Sequence, residues 1–170
     1  MGAGRLIFAA IALLALPARA AAPGTAPQSF EGRLLAAHNG ERTVHGIAPL
    51  TWSPALARQA AVWAQYLAQR GAFQHAPDRH GAGENLWTGT EGYFSPEAMI
   101  GGFLDEGYKF HPGRFPDVSA TGRWTDVGHY SQLIWPETHE LGCALASGQG
   151  RDVLVCRYFP AGNVIGQQVP

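Results

Sequence analysis

Residues 128–135 read Gly-His-Tyr-Ser-Gln-Leu-Ile-Trp, and this stretch decides how the rest of the chain is interpreted. It places an imidazole, a phenol, a hydroxyl and an amide in consecutive positions, directly before an apolar run. Pro136 would end a helix, so we predict a short helix over residues 126–135. Ser131 and His129 are residue types found in serine hydrolases, but two helix positions apart they point about 200° away from each other. We therefore expect Ser131 to cap the helix or brace a loop, and not to act as a nucleophile.

The N-terminal residues indicate export from the cell. Residues 1–5 carry one positive charge, residues 6–16 form an apolar run too short to span a bilayer, and residues 17–20 offer small side chains to a signal peptidase. We predict a signal peptide over residues 1–20, a short Pro- and Ala-rich tether over residues 21–29 and one domain over residues 30–170. Cleavage two residues later and a permanent anchor are the alternatives. The expected location is secreted or periplasmic.

The charge of the exported chain excludes one class of partner. Removal of the signal peptide takes away Arg5 and Arg19, which leaves ten Lys and Arg residues and 13 Asp and Glu residues. The net charge is then −3 with neutral histidines. Lys109 is the only lysine, and basic residues do not cluster. Nucleic acid is therefore not an expected partner. We also expect no membrane span after signal cleavage, and a monomer.

Two apolar runs near the C-terminal end predict a β-hairpin. Residues 140–146 and 152–159 are separated by Ser-Gly-Gln-Gly, which favours a tight turn. Cys143 and Cys156 are the only cysteines, one in each run. An exported chain with two cysteines most simply joins them, so we expect a disulfide that contributes about 2–3 kcal/mol.

Three earlier segments have helical patterns. We predict helices over residues 30–44, 53–71 and 95–107, the last two because Ser-Pro supplies an N-cap and a first helical residue. The segments 73–87 and 109–124 are rich in Gly, Pro and aromatic residues, and are predicted to be loops. The three helices come first, a short helix follows, and the two strands of the hairpin come last. This separation of helices and strands along the chain predicts an α+β fold.

Four segments resemble the motifs of the CAP superfamily, the cysteine-rich secretory, antigen 5 and pathogenesis-related proteins, whose domain is also called the SCP domain. They are residues 128–135, Val-Cys-Arg-Tyr-Phe-Pro-Ala-Gly-Asn at 155–163, Ala-His-Asn-Gly-Glu-Arg at 37–42, and Leu-Thr-Trp-Ser-Pro-Ala-Leu-Ala at 50–57. The resemblance implies an α-β-α sandwich, with a small, mainly antiparallel sheet between two helical layers. The alanine-rich composition and the short export signal favour a bacterial member.

The resemblance also implies an open cleft with two histidines and two glutamates. His129 matches within Gly-His-Tyr-Ser-Gln, and Glu84 matches within Gly-Glu-Asn. His75 precedes Glu84 by nine residues, as the family's first histidine does, and His80 is the alternative. Glu106 matches the end of the family's Trp-Xaa-Xaa-Glu, although phenylalanine stands in place of the tryptophan here.

These residue types predict a site for a divalent metal. Two imidazoles, one carboxylate and one water match an open zinc site, and a second carboxylate would orient an imidazole. We therefore expect zinc, or another divalent ion, at His75 and His129, with Glu84 and Glu106 lining the cleft.

Three functions fit this cleft. The favoured one is a binding module, with a small lipid or sterol as a possible ligand because some relatives bind such molecules. The second is a metal-dependent peptidase or esterase, with Glu84 or Glu106 as the general base. The third is a network of hydrogen bonds that serves only structure. The sequence assigns no reaction.

Overall fold

The computed structural model describes Met1 and residues 29–170. The predicted signal peptide (1–20) and tether (21–29) lie outside the described residues, apart from Met1 and Ser29. Among the residues that are described, no helix has the length and apolar character needed to cross a membrane.

Four α-helices and six β-strands follow one another in the described part of the chain. The helices are α1 (Phe30–Val44), α2 (Pro54–Arg70), α3 (Pro96–Leu104) and α4 (Gly128–Leu133). The strands are β1 (Thr51–Trp52), β2 (Gly83–Thr90), β3 (Gly113–Arg114), β4 (Glu140–Gly148), β5 (Arg151–Phe159) and β6 (Gln168–Val169). Two 3₁₀ helices cover Asp105–Lys109 and Trp124–Asp126.

The central sheet has the strand order β1-β4-β5-β2. β4 and β5 form the predicted hairpin, β2 pairs antiparallel with β5, and β1 adds a short parallel pairing to β4. β3 and β6 form a separate two-stranded sheet. Cys143 and Cys156 lie opposite each other in the hairpin, with their Cα atoms 4.1 Å apart, and the predicted disulfide joins them.

Helices cover both faces of the sheet. α2 packs on one face, against β4 and β5, while α1, α3 and α4 lie on the other. The core beneath α2 combines three alanines of the helix, Ala60, Ala64 and Ala68, with Leu and Val side chains. The small side chains let the helix approach closely: a Cβ at Gly148 would collide with the backbone of Ala68. The predicted α+β sandwich with a mainly antiparallel sheet is confirmed.

Two strands lie in segments predicted to be loops, the short β3 in 109–124 and most of β2 in 73–87. The segment 73–87 contains more than half of β2, whose residues 83–86 are buried on both faces of the strand. A strand buried on both faces has no alternation of polar and apolar residues, and its glycines favour a loop assignment. The third α-helix also ends earlier than predicted, at Leu104, and the 3₁₀ helix of Asp105–Lys109 follows it.

Candidate functional site

A cavity of about 500 Å³ opens where β2 begins. Its lining includes His75, Glu84, Asn85, His129 and Asn163. Four segments distant in sequence therefore meet here: the loop after α2, the first residues of β2, the start of α4 and the loop after β5. His80 does not line this cavity; it is exposed and contacts Asp78.

His75 is held by the carboxylate of Glu84. Its Nδ1 lies 2.7 Å from Glu84 Oε1, which also accepts a hydrogen bond of 3.0 Å from the backbone N–H of Ala76. The His75 side chain is 52% exposed, whereas that of Glu84 is completely buried. Because the carboxylate accepts at Nδ1, the neutral ring carries its proton there and leaves the lone pair of Nε2 available.

Arg157 compensates the buried charge of Glu84. The two residues lie opposite each other on β5 and β2, and Arg157 Nη2 is 3.0 Å from Glu84 Oε2. This contact has ion-pair distance without hydrogen-bond geometry, since neither Glu84 Oε2 nor Arg157 Nε has a hydrogen-bond partner among the described residues. Burial lowers the pKa of the Arg157 guanidinium, and the Glu84 carboxylate opposes that change. A buried pair of this kind destabilises the fold when one partner is removed.

His129 is held by the carboxylate of Glu106 in a different way. Its Nδ1 lies 2.6 Å from Glu106 Oε1, and Glu106 Oε2 accepts from the backbone N–H groups of His129 (2.9 Å) and Tyr130 (3.1 Å). Glu106 therefore orients the imidazole and caps the first turn of α4, where free N–H groups favour a negative charge. The ring also stacks on Phe103, with 5.0 Å between ring centroids.

Arg42 fixes the other end of α4. Its guanidinium is fully buried and donates to four backbone carbonyls, at distances of 2.8–3.0 Å. The acceptors are Ala48, Leu133, Trp135 and Thr138. Burial lowers the pKa of Arg42 to about 10, so the group remains charged at neutral pH. The helix that carries His129 is only six residues long, and charged side chains hold both of its ends.

A directed chain of hydrogen bonds also reaches His129. Asn85 Nδ2 donates to the backbone carbonyl of His129 (3.0 Å) and to the Tyr158 hydroxyl (3.1 Å). Tyr158 lies 2.8 Å from His38 Nε2, and His38 Nδ1 lies 2.8 Å from the carbonyl of Leu34. A carbonyl can only accept, so His38 donates through Nδ1 and accepts from Tyr158 through Nε2. The chain requires a neutral His38, and burial lowers its pKa to about 4.

Ser131 and Gln132 brace the cavity. Ser131 is fully buried, and its hydroxyl donates to Asn163 Oδ1 at 2.7 Å, in agreement with the expected loop-bracing role. Gln132 Oε1 accepts from the backbone N–H of Gly162 at 2.9 Å. A Cβ at Gly83 would overlap with the side-chain amide of Gln132, so a larger residue there would displace this buried amide from its hydrogen bond to Gly162.

Two residues of the site escaped the sequence analysis. Arg157 and Asn85 were considered only as parts of structural motifs, yet they contact Glu84 and His129 respectively. Identifying them requires the register between β2 and β5, which pairs Glu84 with Arg157 and Asn85 with Cys156. No local pattern contains that register.

The fold, the four motifs and the arrangement around the cavity define a CAP domain, and comparison with known proteins shows the same. The model of the cysteine-rich secretory protein (CAP) family matches residues 35–158. The chain belongs to this family. The relatives to which it is similar include pathogenesis-related proteins of fungi, plants and animals.

The similarity to these relatives extends over most of this chain. Golgi-associated plant pathogenesis-related protein 1 of Homo sapiens is 30% identical over 147 residues, 84% of this chain and 90% of the relative. Pathogenesis-related protein 1B of Nicotiana tabacum is 32% identical, covering 82% of this chain and 80% of the relative. Probable pathogenesis-related protein CaO19.6200 of Candida albicans is 33% identical over 83% of this chain, which spans only 40% of that relative's length. Two further Candida albicans relatives are also longer, since the chain spans 51% and 63% of them.

Solved structures share the fold. The crystal structure of NaASP2 with Zn²⁺ has a TM-score of 0.69 at 21% identity, covering 86% of both chains. The structure of BmVAL-1 has a TM-score of 0.65 at 23% identity, covering 86% of this chain and 84% of that one. At such identities the likeness establishes the fold alone.

Proposed function

We propose that this chain is an exported CAP binding module whose cleft holds a divalent cation, zinc, through Nε2 of His75 and His129. One observation carries the proposal: both imidazoles line one cavity, and each has its Nδ1 against a carboxylate. Metal-binding histidines are commonly oriented by a carboxylate at the second ring nitrogen. The solved NaASP2 structure with Zn²⁺, which has the same fold, is consistent with this proposal.

The residues fit zinc with a smaller set of ligands than the sequence suggested. Glu84 and Glu106 each contact a histidine and backbone N–H groups, so they orient the imidazoles. The described residues contain no group of three or more His, Cys, Asp or Glu side chains arranged to hold a metal. Two imidazoles would therefore hold the ion, and water or a bound ligand would complete its coordination. Zinc held in this way is an electrophile that binds an anionic or carbonyl oxygen.

The two carboxylates support binding over turnover. Glu84 is fully buried and paired with Arg157, and both oxygens of Glu106 accept hydrogen bonds. A general base must be within reach of the proton that it removes. Glu84 Oε2 is buried against Arg157, and both oxygens of Glu106 already accept hydrogen bonds, so neither carboxylate offers an accessible oxygen for that role and we propose an interaction function and not hydrolysis.

Zinc titration by isothermal calorimetry tests the cation site. We expect stoichiometric binding to the domain at neutral pH, and its loss in His75→Ala and in His129→Ala. His80→Ala is the matched control, since that histidine lies outside the cavity and should leave binding unchanged. No zinc binding by the unaltered domain, or equal binding by all four proteins, would overturn the proposal.

A small lipid or sterol is the second ligand that we propose. A separate cavity of about 500 Å³ lies beside the N-terminal ends of α1 and α2. Its walls are mainly apolar and include Phe30, Trp52, Ala61 and Leu145, with charged side chains at Glu31 and Arg58. Apolar walls with a few polar groups are typical of sites for small amphiphiles. Ala61→Trp would fill this cavity, and we expect it to abolish binding of a fluorescent sterol; unchanged binding would contradict this site.

A further inference from the structure

The strand β4 extends well beyond the short strand β1 that lies beside it. β1 pairs only with Glu140 and Leu141, and α2 begins two residues after β1 ends. Residues 142–148 of β4 therefore have no neighbouring strand on that side within the described part of the chain. The mainly apolar cavity beside the N-terminal ends of α1 and α2 lies at this open edge, because three residues of β4 line it, Cys143, Ala144 and Leu145.

The register of the hairpin shows which backbone groups of β4 face the open edge. The two disulfide-bonded cysteines have Cα atoms 4.1 Å apart, the short spacing of an antiparallel pair that exchanges no hydrogen bonds. The N–H and C=O groups of Cys143 therefore point away from β5. On that side of β4, the carbonyl of Leu141 accepts from the backbone N–H of Ser53 at 2.8 Å. Because strand residues alternate in direction, Leu145 and Ser147 also turn their backbone groups to the open edge.

The edge is unpaired and unprotected. The backbone groups of Leu145 and Ser147 that face it make no hydrogen bond to another described residue. Leu145 is partly exposed and lines the cavity, and Ser147 is exposed. Residues 141–148 contain no charged residue and no proline, which are the usual means of preventing strand pairing. An apolar edge of this kind is a template for an additional strand.

The space beside β4 fits one strand. α1 and α2 lie on opposite faces of the sheet, and both contribute to the walls of the cavity. Ala57 and Ala61 of α2 have small side chains, which leaves room next to the edge. From Cys143 to Ser147 the edge is about 13 Å long, which matches about five residues of an extended chain. A recess between two helical layers admits a single strand and excludes the sheet of a second copy of this domain.

Two charged side chains at the rim indicate the chemistry of the strand. Glu31 and Arg58 line the cavity and are exposed, and the ion pairs of arginine in the described part of the chain involve other residues. Glu31 belongs to α1 and Arg58 to α2, so the two charges lie on opposite sides of an added strand. Successive side chains of a strand alternate between its faces. The complementary strand therefore has a basic residue on the α1 side and an acidic residue on the α2 side, separated by an odd number of positions.

We infer that β4 accepts an extended segment of a partner protein as an additional strand, in line with β1. Main-chain hydrogen bonds to Leu145 and Ser147 would supply affinity, and the basic and acidic side chains would supply specificity. The segment would fill the cavity proposed above for a small lipid or sterol, so the two ligands would exclude each other. The inference rests on neither that ligand nor the cation, since peptide binding is measured with both absent and with EDTA in the buffer.

Amide hydrogen exchange followed by NMR tests the edge without any ligand. In the unaltered domain we expect fast exchange at Leu145 and Ser147. Ala144 and Ala146 are the internal controls, because their N–H groups face β5, and we expect slow exchange there. Slow exchange at all four residues would overturn the inference, because the edge would then already be paired.

The same measurement with a peptide tests the partner. The probe is the pentapeptide acetyl-Thr-Lys-Val-Val-Asp-amide, which has Lys and Asp on opposite faces when extended. At about ten times its Kd, we expect exchange at Leu145 and Ser147 to slow about tenfold, with no change at Ala144 and Ala146. The isomer acetyl-Thr-Val-Lys-Val-Asp-amide places both charges on one face, and we expect it to bind about fivefold more weakly.

Charge reversal provides matched variants. Arg58→Glu should weaken binding of the first peptide about tenfold, and replacing the Asp of that peptide with Lys should restore it. Arg70→Glu makes the same change at an exposed arginine in the last turn of α2 and should bind as the unaltered domain does. Both variants change exposed side chains, so we expect both to fold normally.

Three further outcomes would overturn the inference. The first is equal affinity for the two isomeric peptides. The second is binding of a fluorescent sterol with no response to either peptide, which would leave the lipid proposal standing alone. The third is slow exchange at Leu145 and Ser147 in a chain that starts at residue 21 but not in one that starts at residue 29, which would make the occupant the N-terminal segment of this chain.

Discussion

The two halves of the cleft present the same histidine–glutamate pair, but they anchor it differently. The Nδ1–carboxylate distances are 2.7 Å for His75 and 2.6 Å for His129. Glu84 extends from a strand into the interior and is balanced by Arg157. Glu106 lies in a 3₁₀ turn and binds the backbone at the start of α4. The His75–Glu84 pair therefore depends on a buried ion pair, and the His129–Glu106 pair depends on the backbone at the start of α4.

This difference has energetic consequences. A buried ion pair concentrates its stabilising effect in two side chains, so a single substitution leaves a charge without its partner. The His129 half instead distributes its support over Glu106, Arg42 and the hydrogen-bond chain through Asn85. The following substitutions test how unequal the two halves are, in order of decreasing expected effect.

Arg42→Met should have the largest effect. It leaves four backbone carbonyls, three of them buried, without this donor, so we expect the free energy of unfolding to fall by about 5 kcal/mol. Urea denaturation followed by circular dichroism measures the change. Arg58→Met removes an exposed arginine from α2 and serves as the control, with an expected change below about 0.5 kcal/mol. Equal stability of the two variants would contradict the role assigned to Arg42.

Glu84→Gln should cost about 4 kcal/mol, because the charge of Arg157 remains buried without compensation. The same denaturation experiment measures it. Adding Arg157→Met to Glu84→Gln removes the orphaned charge and should restore part of the loss. If the loss in the double variant equals or exceeds the sum of the losses in Glu84→Gln and Arg157→Met, the two residues do not act as an ion pair.

His38 should make the His129 half sensitive to acid. Burial lowers its pKa from the ordinary 6.5 to about 4, so below pH 6.5 the unfolded chain binds a proton that the folded chain does not. Stability is therefore fully present above pH 6.5 and is lost as the pH falls towards 4, by about 3 kcal/mol from this residue. The measurement is the free energy of unfolding at pH 7 and pH 4.

His38→Gln is the matched variant for this pH dependence. Glutamine keeps one donor and one acceptor but does not titrate in this range. We expect the difference in stability between pH 7 and pH 4 to be smaller in the variant than in the unaltered domain. An identical difference in both proteins would show that His38 does not contribute.

Glu106→Gln should have the smallest effect, about 1 kcal/mol. The glutamine carbonyl still accepts from the backbone N–H groups of α4, while the charge at the helix start and the oxygen that accepts from His129 Nδ1 are lost. A loss as large as that of Glu84→Gln would mean that the two halves are anchored alike. Thermal unfolding of both variants side by side gives the comparison.

Local patterns predicted the helices because their signals lie within a few residues. Ser95 and Pro96 mark the start of α3, and the Ser95 hydroxyl accepts from the backbone N–H of Ala98 at 3.2 Å. Ser53 and Pro54 mark the start of α2 equally well, although Ser53 makes no side-chain cap there. In α2, Pro54 at the first helical position was enough to predict where the helix begins.

The site was only partly predictable. Family motifs identified His75, Glu84, Glu106 and His129, and the structure brings each histidine against one glutamate. The family motifs did not show that both carboxylates contact a histidine ring and so orient the imidazoles. That property depends on Arg157 across the sheet and on the backbone of α4, and such contacts follow from strand register and tertiary packing.

The neighbouring residues Glu84 and Asn85 on β2 connect the two halves of the cleft. Successive strand residues point to opposite faces, so one residue holds the His75 half and the next holds the His129 half. Their Cα atoms are about 3.8 Å apart by covalent geometry. A single peptide unit of β2 therefore links the two halves, through the ring of His75 on one side and the backbone carbonyl of His129 on the other.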